Sequence, residues 1–444
     1  MGEGALEYAD RAALSSNCML RGLAIKERAL ALGFDLAGIA PVSIWKDLKF
    51  SRRWVEKGFN GEMRYLENPK RFDPLLILPS AKSVVCVGLI YNAPLPYSTE
   101  VEAGNRSQES EVRSQNAEGR RQAPQPRAWI SRYAWGRDYH GVMRGKLEQL
   151  RKALAMLAPG IETRVFVDTG PVVERALARY SGIGWMGKNT CIINQEKGSW
   201  FFLGVILTSL EVAPDLPAPD RCGSCTACLE ACPTRALVEP YVMDASRCIS
   251  YFTIELRGSI PQEVRPRIGS NVFGCDICQD VCPWNGSRQL SVLSYQQATS
   301  AGRLRSERRH ETKPATTNDP RFYPLIFEPD RTGISDGAIP EVLPTDDGQR
   351  TTDNGRSATD PAGFSLFNPP LAALASMSEE DFRRIFAHSP IRRAKYRGWL
   401  RNLCVAMGNS GDARCVPWLE RAAEHPDPII REHAAWALGR LRGE

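Results

Sequence analysis

The hydrophobic pattern of the first half of the chain alternates between helical and extended segments. The segment LRGLAIKERALALG, residues 20–33, has apolar residues at helical spacing and ends at a glycine, so it predicts a helix. The short apolar runs SVVCVGLIY, TRVFV and SWFFLGVILTSL are typical of buried strands. The segment RAWISRYAWGRDYHGVMRGKLEQLRKALAML predicts a strand or loop that leads into a long helix. We therefore expect residues 1–215 to form one mixed α/β domain.

The C-terminal part of the chain has a purely helical pattern. In DARCVPWLERAAEHPDPIIREHAAWALGRL, two amphipathic segments are separated by His-Pro-Asp-Pro, whose prolines cannot continue the first helix. This is the pattern of one helical hairpin of the HEAT type. The preceding KYRGWLRNLCVAMGNSG is expected to supply a partner helix. Residues 363–444 are thus predicted to form a HEAT-like helical domain.

Two polar stretches interrupt these patterns. Residues 98–126 contain no aromatic residue and few aliphatic ones, and residues 296–362 are rich in Thr, Asp, Arg and Gly. Segments of this kind cannot bury enough apolar surface to offset the entropy lost on folding. We expect the first stretch to be a disordered insertion and the second a polar linker.

Composition narrows the class of protein. The 444 residues suffice for two or three domains, and 43% hydrophobic with 24% charged residues is typical of a globular protein. No run of about 18 apolar residues is present that would span a membrane. The acidic N-terminus lacks the apolar segment of a signal peptide. We expect an α+β multidomain protein of the cytoplasm without a membrane segment.

The net charge of +6 allows a polyanionic partner but does not require one. Five basic residues crowd into PIRRAKYRGWLRN near the C-terminus, namely Arg392, Arg393, Lys395, Arg397 and Arg401. A solvated helix face is the ordinary explanation of such a run. Contact with nucleic-acid phosphates is the alternative.

The cysteines carry the clearest chemical signal. There are 13 in a chain without a secretory signal, which favours metal ligation over disulfides. Four lie in CGSCTACLEACP, which has the C-x2-C-x2-C-x3-C-P spacing of bacterial ferredoxins, and the fourth cysteine of that pattern binds a second cluster. FGCDICQDVCPWN supplies three more and SRCISYF one, so eight cysteines are predicted to hold two [4Fe–4S] clusters. The first set is Cys222, Cys225, Cys228 and Cys282, and the second set is Cys232, Cys248, Cys275 and Cys278.

Structural zinc is the alternative metal, because it uses the same C-x2-C spacing. The crowding of the first run and the two Cys-Pro endings favour iron and sulfur instead. We therefore expect residues 216–295 to form a ferredoxin-like domain. The remaining cysteines are expected to be buried thiols, and they are Cys18, Cys86, Cys191, Cys404 and Cys415.

A glycine-rich segment, SGIGWMGKNT, resembles both a dinucleotide fingerprint and a P-loop. Either motif should follow a strand and open a helix, whereas these glycines follow the helical stretch PVVERALARY. Nucleotide binding is therefore not expected. Two possibilities remain: a helix end followed by a plain loop, or a loop whose backbone and Lys188-Asn189 pair approach a bulky polar ligand.

Asp168 is a candidate acid. In VFVDTGPVVERAL it ends a predicted strand, and Pro171 is suited to the first position of the following helix. An Asp at such a place often only caps a helix. A desolvated carboxyl group, however, has a raised pKa and can donate a proton at neutral pH.

The ordered set of motifs resembles the epoxyqueuosine reductase family. It consists of YLENPKRFDP, SRYAWGRDYH, VDTGPVVERA, GIGWMGKNT, CGSCTACLEACPTRAL, RCISYFTIE, FGCDICQDVCPWN and IIREHAAWALGRL. The resemblance implies a nitroreductase-like domain that binds cobalamin, a ferredoxin-like domain with two [4Fe–4S] clusters, and a HEAT-like domain. It also implies reduction of epoxyqueuosine to queuosine at the wobble position of tRNAs with GUN anticodons, those for aspartate, asparagine, histidine and tyrosine.

Carried over by motif, the resemblance implies that Asp168 is the proton donor and also borders the cobalamin. It further implies that Arg71, Ser131, Lys188 and Asn189 line the cobalamin site and that the eight cysteines are cluster ligands. An external electron donor of the flavodoxin or ferredoxin type is implied as a partner, and we expect a monomer.

Two other functions fit parts of the sequence. One is a corrinoid and iron–sulfur reductase of a small molecule, similar to reductive dehalogenases, although an export signal is common there and the basic helical tail would have no use. The other is a ferredoxin-like electron-transfer module, which would leave some two hundred residues before the cysteines unexplained.

Overall fold

The computed structural model describes residues 18–43, 45–102, 124–286, 315–327 and 364–444. Its α-helices in chain order are α1 (18–31), α2 (Lys46–Glu56), α3 (98–102), α4 (Tyr139–Leu157), α5 (Glu174–Tyr180), α6 (Ala227–Ala231), α7 (Arg265–Ile268), α8 (Ile277–Asp280), α9 (Leu371–Ala375), α10 (Glu379–Ile385), α11 (Lys395–Ser410), α12 (Val416–Ala423) and α13 (Pro428–Arg442). The strands are β1 (Leu36–Pro41), β2 (Ser83–Ile90), β3 (Trp129–Ile130), β4 (Thr163–Phe166), β5 (Trp185–Met186), β6 (Ile192–Ile193), β7 (Phe201–Thr208), β8 (Leu237–Glu239), β9 (Val242–Met243), β10 (Asn271–Phe273), β11 (Ile326–Phe327) and β12 (Phe364–Ser365).

The chain divides into two compact units. The first contains residues 1–92, 139–248 and 277–316, and the second contains residues 93–138, 249–276 and 317–444. The domain boundaries predicted at 215, 295 and 362 follow sequence composition rather than compactness, and they stay a prediction.

The first unit is organised around a four-stranded sheet with the order β1-β2-β7-β4. All three pairings are antiparallel, and the mixed helix and sheet content of this unit agrees with the α+β class that the sequence predicts. Every residue of β2 is buried, which requires cover on both faces of the sheet. Val84, Cys86 and Ile90 share a core with α5, on one face.

Helix α4 packs against β7 and β4. Its buried residues Met143, Leu147, Leu150 and Leu154 recur at helical spacing and form one apolar stripe. A side chain at Gly204 of β7 would lie 2.7 Å from Leu147, so this glycine lets the helix approach the strand closely.

The second unit has a helical core. Residues 398–408 of α11 are buried throughout, and the helix contacts α9, α12 and α13. At Gly408 a side chain would lie 2.9 Å from the backbone of Ala437, so α11 and α13 meet almost backbone to backbone. Trp129, Trp135 and Trp399 belong to the same apolar core.

The principal predicted elements are present. The predicted strands appear as β2, β4 and β7, the N-terminal helix ends at Gly33 with a positive φ of 79°, and α12 and α13 form the expected hairpin with α11 before it. Of the spare cysteines, Cys86, Cys404 and Cys415 are buried as expected. Cys18 and Cys191 are only half-buried, so the prediction is wrong for these two.

The prediction of two unstructured polar stretches is wrong at their edges. Residues 98–102 are helical. Residues 315–327 include a turn of 3-10 helix, Pro320–Phe322, and strand β11, because Phe322 and Leu325 bury their side chains. The remaining parts of both stretches, residues 103–123, 296–314 and 328–362, lie outside the described residues. None of the described helices combines the length and the apolar character needed to cross a membrane.

Candidate metal and catalytic sites

The first cysteine run forms a tight loop followed by a short helix. Cys222 donates its backbone N–H to Asp220 at 2.8 Å, and the backbone N–H of Cys225 donates to the Cys222 carbonyl at 3.1 Å. Gly223 adopts a positive φ of 50° within this turn, and α6 begins at Ala227. This turn brings thiols spaced three residues apart to one side of the chain, as a cubane cluster requires.

The four thiols of the first set lie within electrostatic reach of one another. Burial raises the pKa of Cys228 to about 11, and the neighbouring Cys225 and Cys222 raise it further. Burial likewise raises the pKa of Cys282 to about 12, with added contributions from Cys222, Cys228 and Cys191. Such thiols stay protonated unless a cation compensates their charge, because a bound metal inverts this balance. The chemistry of these four thiols therefore fits a metal cluster.

Apolar residues surround the Cys282 thiol. It belongs to a small hydrophobic cluster with Trp185 and Ile193, and Trp284 packs against the same group. The rings of Trp185 and Trp284 meet edge to face with centroids 5.0 Å apart. This wall shields one side of the first set from water.

The second set is positioned by local hydrogen bonds. The sulfur of Cys232 accepts the backbone N–H of Ala236 at 3.3 Å. Cys248 ends a 3-10 turn, Ala245–Arg247, that is capped by Asp244. Cys278 lies in α8, whereas Cys275 belongs to the second compact unit. The pairing of these four thiols stays a prediction.

Lys188 and Asn189 contact the cysteine segments. The Lys188 ammonium donates to the carbonyls of Gly223 at 2.6 Å and Cys225 at 2.8 Å, and Asn189 Nδ2 donates to the Cys278 carbonyl at 3.0 Å. Their polar groups are therefore committed to holding the loops of the predicted cluster ligands. Their assignment to a cobalamin site stays a prediction that these contacts do not support.

The glycines of SGIGWMGKNT have packing roles. Gly182 follows α5 with a positive φ of 76°, and side chains at Gly184 and Gly187 would collide with Ile193 of the β5–β6 hairpin. The segment follows a helix and opens no helix, which confirms the argument against a P-loop or dinucleotide fingerprint.

Asp168 lies in a constrained loop directly after β4. Its φ is +53°, a conformation that Asp tolerates better than most residues. A side chain at Gly170 would lie 2.3 Å from the Phe166 ring, so the chain turns back over the end of its own strand there. Helix α5 begins at Glu174, and the expectation that Pro171 is its first residue is wrong, because the turn over Phe166 occupies residues 167–172.

Two side chains hold this loop. Arg71 donates to the Gly170 carbonyl at 2.8 Å, and His140, near the start of α4, lies 3.3 Å from Asp168 through Nε2 and Oδ2. The Asp168 side chain is 48% exposed, so the desolvation expected for it is not provided by the neighbouring protein groups. The sequence analysis missed His140, although SRYAWGRDYH contains it.

The sequence analysis also missed Glu174 as a residue of this site. Burial, the largest influence, and the neighbouring Asp168 raise the pKa of its carboxyl group, whereas its own backbone N–H, Arg71 and Arg175 lower it. The net pKa is about 8, against the usual 4.5. An acidic residue within the apolar stretch VVERAL was the available signal.

Ser131 lies in the second unit. Its hydroxyl donates to Asp276 at 2.5 Å, and Asp276 also accepts the Trp129 indole N–H at 3.0 Å and the Arg132 backbone N–H at 2.8 Å. Burial raises the pKa of Asp276. Ser131 is thus 3% exposed and engaged in an internal network. Of the five predicted cobalamin residues, Arg71 contacts the loop that carries Asp168, and these two fit a common site, whereas Ser131, Lys188 and Asn189 have other partners.

The basic run of the C-terminal unit divides in two. Arg392 and Lys395 are exposed, and Arg393 is ion-paired with Glu255 at 2.7 Å. Arg397 is also exposed, but its guanidinium donates to the Arg257 carbonyl at 2.7 Å and lies 3.7 Å from Asp427. Arg401 is 1% exposed, so it does not belong to a solvated basic face.

Three parts of the chain match described protein families. Residues 71–169 match epoxyqueuosine reductase QueG, DUF1730, residues 221–285 match a 4Fe-4S double cluster binding domain, and residues 399–444 match HEAT repeats. The chain therefore carries an iron–sulfur cluster-binding domain, and Arg71 and Asp168 fall within the match to epoxyqueuosine reductase QueG, DUF1730.

Individual relatives agree with these matches. An epoxyqueuosine reductase of Pseudomonas aeruginosa is 35% identical over 423 residues, which is 94% of this chain and 93% of the relative. One of Escherichia coli strain K12 is 34% identical over 418 residues, which is 93% of this chain and 88% of the relative.

Solved structures are similar over nearly the same length. An epoxyqueuosine reductase with an epoxyqueuosine-modified tRNA-Tyr stem loop has a TM-score of 0.66 at 29% identity, and covers 94% of this chain and 89% of that one. The enzyme of Streptococcus thermophilus has a TM-score of 0.67 at 25% identity, covering 95% and 90%. Because a relative of that name is 35% identical over 94% of this chain, the chain belongs to the epoxyqueuosine reductase family.

Proposed function

We propose that this chain reduces epoxyqueuosine to queuosine at the wobble position of tRNAs with GUN anticodons. The observation that carries the proposal is the Asp168 loop, held by Arg71 and His140, in a chain that also gathers the four thiols of the first set. The named relatives and the RNA-bound relative support this choice of substrate. The small-molecule reductase and the free electron carrier lose their support, because neither accounts for family membership over the whole chain.

The reaction defines what the protein groups must do. Converting an epoxide to an alkene and water consumes two electrons and two protons. Iron–sulfur clusters on the eight cysteines, when bound, supply electrons singly from an external flavodoxin- or ferredoxin-type protein. The chain itself must hold the substrate, exclude competing water and deliver protons to the departing oxygen.

Cobalamin is the cofactor we propose between the clusters and the substrate. Of this chain's residues, Arg71 and Asp168 would border it, since they meet at one loop. When bound, it supplies a strongly reducing cobalt centre that accumulates electrons. Binding would also cover Asp168, which is half exposed in the protein alone, and desolvation would raise the pKa of its carboxyl group.

Asp168 is the group that we assign as proton donor to the epoxide oxygen. Its loop cannot easily relax, because Arg71 fixes the carbonyl of Gly170 and Gly170 packs on Phe166. His140 orients the carboxyl group through its contact with Oδ2. A donor held in this way needs little reorganisation at the moment of proton transfer.

The exposed basic residues Arg392, Lys395 and Arg397 are proposed to contact phosphates of the anticodon stem. Affinity should then fall steeply with salt, as each neutralised phosphate releases counterions. The substrate base would leave the anticodon stack to reach a protein pocket. We propose that the protein acts as a monomer.

The test is reduction of an epoxyqueuosine-containing tRNA by the reconstituted protein, followed by nucleoside mass spectrometry. Wild type should form queuosine, and tRNA from a strain lacking the protein should accumulate epoxyqueuosine. Asp168→Asn should retain iron and the corrinoid spectrum but lose turnover by about 100-fold or more. A wild-type protein that binds the RNA and both cofactors yet forms no queuosine would overturn the proposal.

A further inference from the structure

A half-buried acid with one buried and unpaired carboxyl oxygen lies beside the Asp168 loop. Oε1 of Glu174, the first residue of α5, is inaccessible to solvent and has no hydrogen-bond partner among the described residues. A leading glutamate normally places its charge toward solvent and the helix N-terminus, where it stays ionised. An oxygen that is buried and unpaired is costly, so a purely structural role would be better served by an apolar or amide side chain.

The groups around Glu174 are few and identifiable. Asp168 and Arg71 face it from the preceding loop and the 3-10 turn Pro69–Phe72, and Arg175 is its neighbour in α5. Cys86 approaches from strand β2, and its buried thiol interacts with Ser181 and with Glu174. Burial is the largest influence and raises the pKa of Glu174 to about 8, so this carboxyl group carries its proton at neutral pH.

The reaction needs one more proton than Asp168 can supply, and Glu174 could supply it. Reductive opening of the epoxide consumes two protons, and the Asp168 carboxyl group can carry only one proton at a time. We infer that Glu174 is the second proton store of the site and recharges Asp168 within each turnover. This inference rests on the proposed function and concerns the origin of its second proton.

The proposed reaction accounts for every proton and electron that it consumes. The protonated Asp168 carboxyl gives its proton to the epoxide oxygen as the first C–O bond opens. Glu174 then passes its proton to the Asp168 carboxylate, which delivers it to the hydroxyl as the second C–O bond breaks and water leaves. The two electrons come from the iron–sulfur clusters and their external donor protein. Two protons are taken up from solvent between turnovers, one by Glu174 and one by Asp168. Glu174 acts through Asp168 and is a positioning residue rather than a catalytic one.

The first experiment does not depend on turnover. Infrared difference spectra of the purified protein, recorded from pH 6 to 10, should contain a protonated carboxyl band that is lost with a midpoint near 8. Glu174→Gln should lack this band. Asp168→Asn should keep it with a lower midpoint, because a neighbouring negative charge is removed. Spectra of wild type and Glu174→Gln that coincide over the whole range would overturn the inference, whether or not the proposed reaction occurs.

The second experiment uses the reconstituted enzyme and epoxyqueuosine-containing tRNA. Glu174→Gln should lower kcat by about 10- to 100-fold, leave KM for the RNA unchanged and remove the fall in kcat above pH 8. Glu174→Asp should recover part of kcat, which separates proton supply from misfolding. A wild-type kcat and pH profile in Glu174→Gln would overturn the inference. If wild type itself forms no queuosine, the proposed function fails, and the infrared result still decides the state of Glu174.

Discussion

Arg401 provides the sharpest test of which basic residues in the C-terminal unit stabilise the fold and which are exposed for binding. Its guanidinium donates to the carbonyls of Leu256 at 2.9 Å, Gly258 at 2.7 Å and Phe252, and it also contacts Asn402. These carbonyls belong to residues 252–258, which include the turn Tyr251–Glu255, and the neighbouring Thr253 carbonyl accepts from Asn402 at 2.8 Å. The substitution that tests this is Arg401→Met, which keeps an unbranched apolar side chain and removes every hydrogen-bond donor of the guanidinium.

The hydrogen bonds of Arg401 determine how much the free energy of unfolding should fall in Arg401→Met. A hydrogen bond from a charged group contributes about 1.5–3 kcal/mol, and an unsatisfied buried carbonyl costs about 1–3 kcal/mol. Three carbonyls with partial relaxation give a loss of about 4 kcal/mol in the free energy of unfolding, similar to breaking a buried ion pair. For a compact unit of roughly 200 residues, this corresponds to a fall in Tm on the order of 10 °C.

Thermal denaturation of the full chain, followed by tryptophan fluorescence, measures this effect. The matched control is Arg392→Met, because Arg392 is exposed and its replacement should change the free energy of unfolding by less than about 0.5 kcal/mol. RNA affinity should show the reverse order: Arg392→Met weakens binding and reduces its salt dependence, whereas folded Arg401→Met binds normally. An unchanged Tm in Arg401→Met would refute the structural assignment.

Three further predictions concern the metal ligands, the acid loop and acid stability. Cys282→Ser should lower iron from about eight to about four atoms per chain, whereas Cys191→Ser should leave it unchanged, and full iron content in Cys282→Ser would contradict the first set. His140→Gln should lower kcat about 10-fold without changing RNA affinity, since it removes the partner of Asp168, and an unaltered kcat would argue against that role. Burial lowers the pKa of His433 from 6.5 to about 4, so between these pH values the unfolded chain binds a proton at this position that the folded chain does not bind. The free energy of unfolding should therefore fall by about 3 kcal/mol as the pH drops from 6.5 to about 4. In urea denaturation, His433→Gln should make the free energy of unfolding less dependent on pH. An equal pH dependence in wild type and His433→Gln would show that His433 is not the cause.

Elements defined by local pattern were predictable from the sequence. Strands β2 and β7 are continuous apolar runs because both faces of the sheet are covered, and such runs are visible without a fold. The first set of thiols follows from spacing, since the loop that gathers Cys222, Cys225 and Cys228 is only seven residues long. Cys282 joins them through a pattern that ferredoxins share.

Features that depend on distant contacts were not predictable. Arg401 belongs to the same basic run as its exposed counterparts, and only the packing of α11 buries it. Lys188 was expected to approach a ligand, but its ammonium is held by the cysteine loop 35 and 37 residues further along the chain. The start of α5 was misplaced because the fit of Gly170 on Phe166 overrides the preference of Pro171 for a first helical position.

The buried middle of α11 also affects how the exposed charges at its start can bind. Residues 398–408 are packed on all sides, and the helix meets α13 almost backbone to backbone at Gly408. Lys395 and Arg397 are therefore attached to a backbone that is already fixed before any polyanion arrives. Binding would restrict the rotamers of Lys395, at about 0.5–1.5 kcal/mol for an immobilised side chain, whereas the Arg397 guanidinium is already held by the Arg257 carbonyl at 2.7 Å. The scaffold is thus preorganised, and the spacing of its charges selects partners whose phosphates match it.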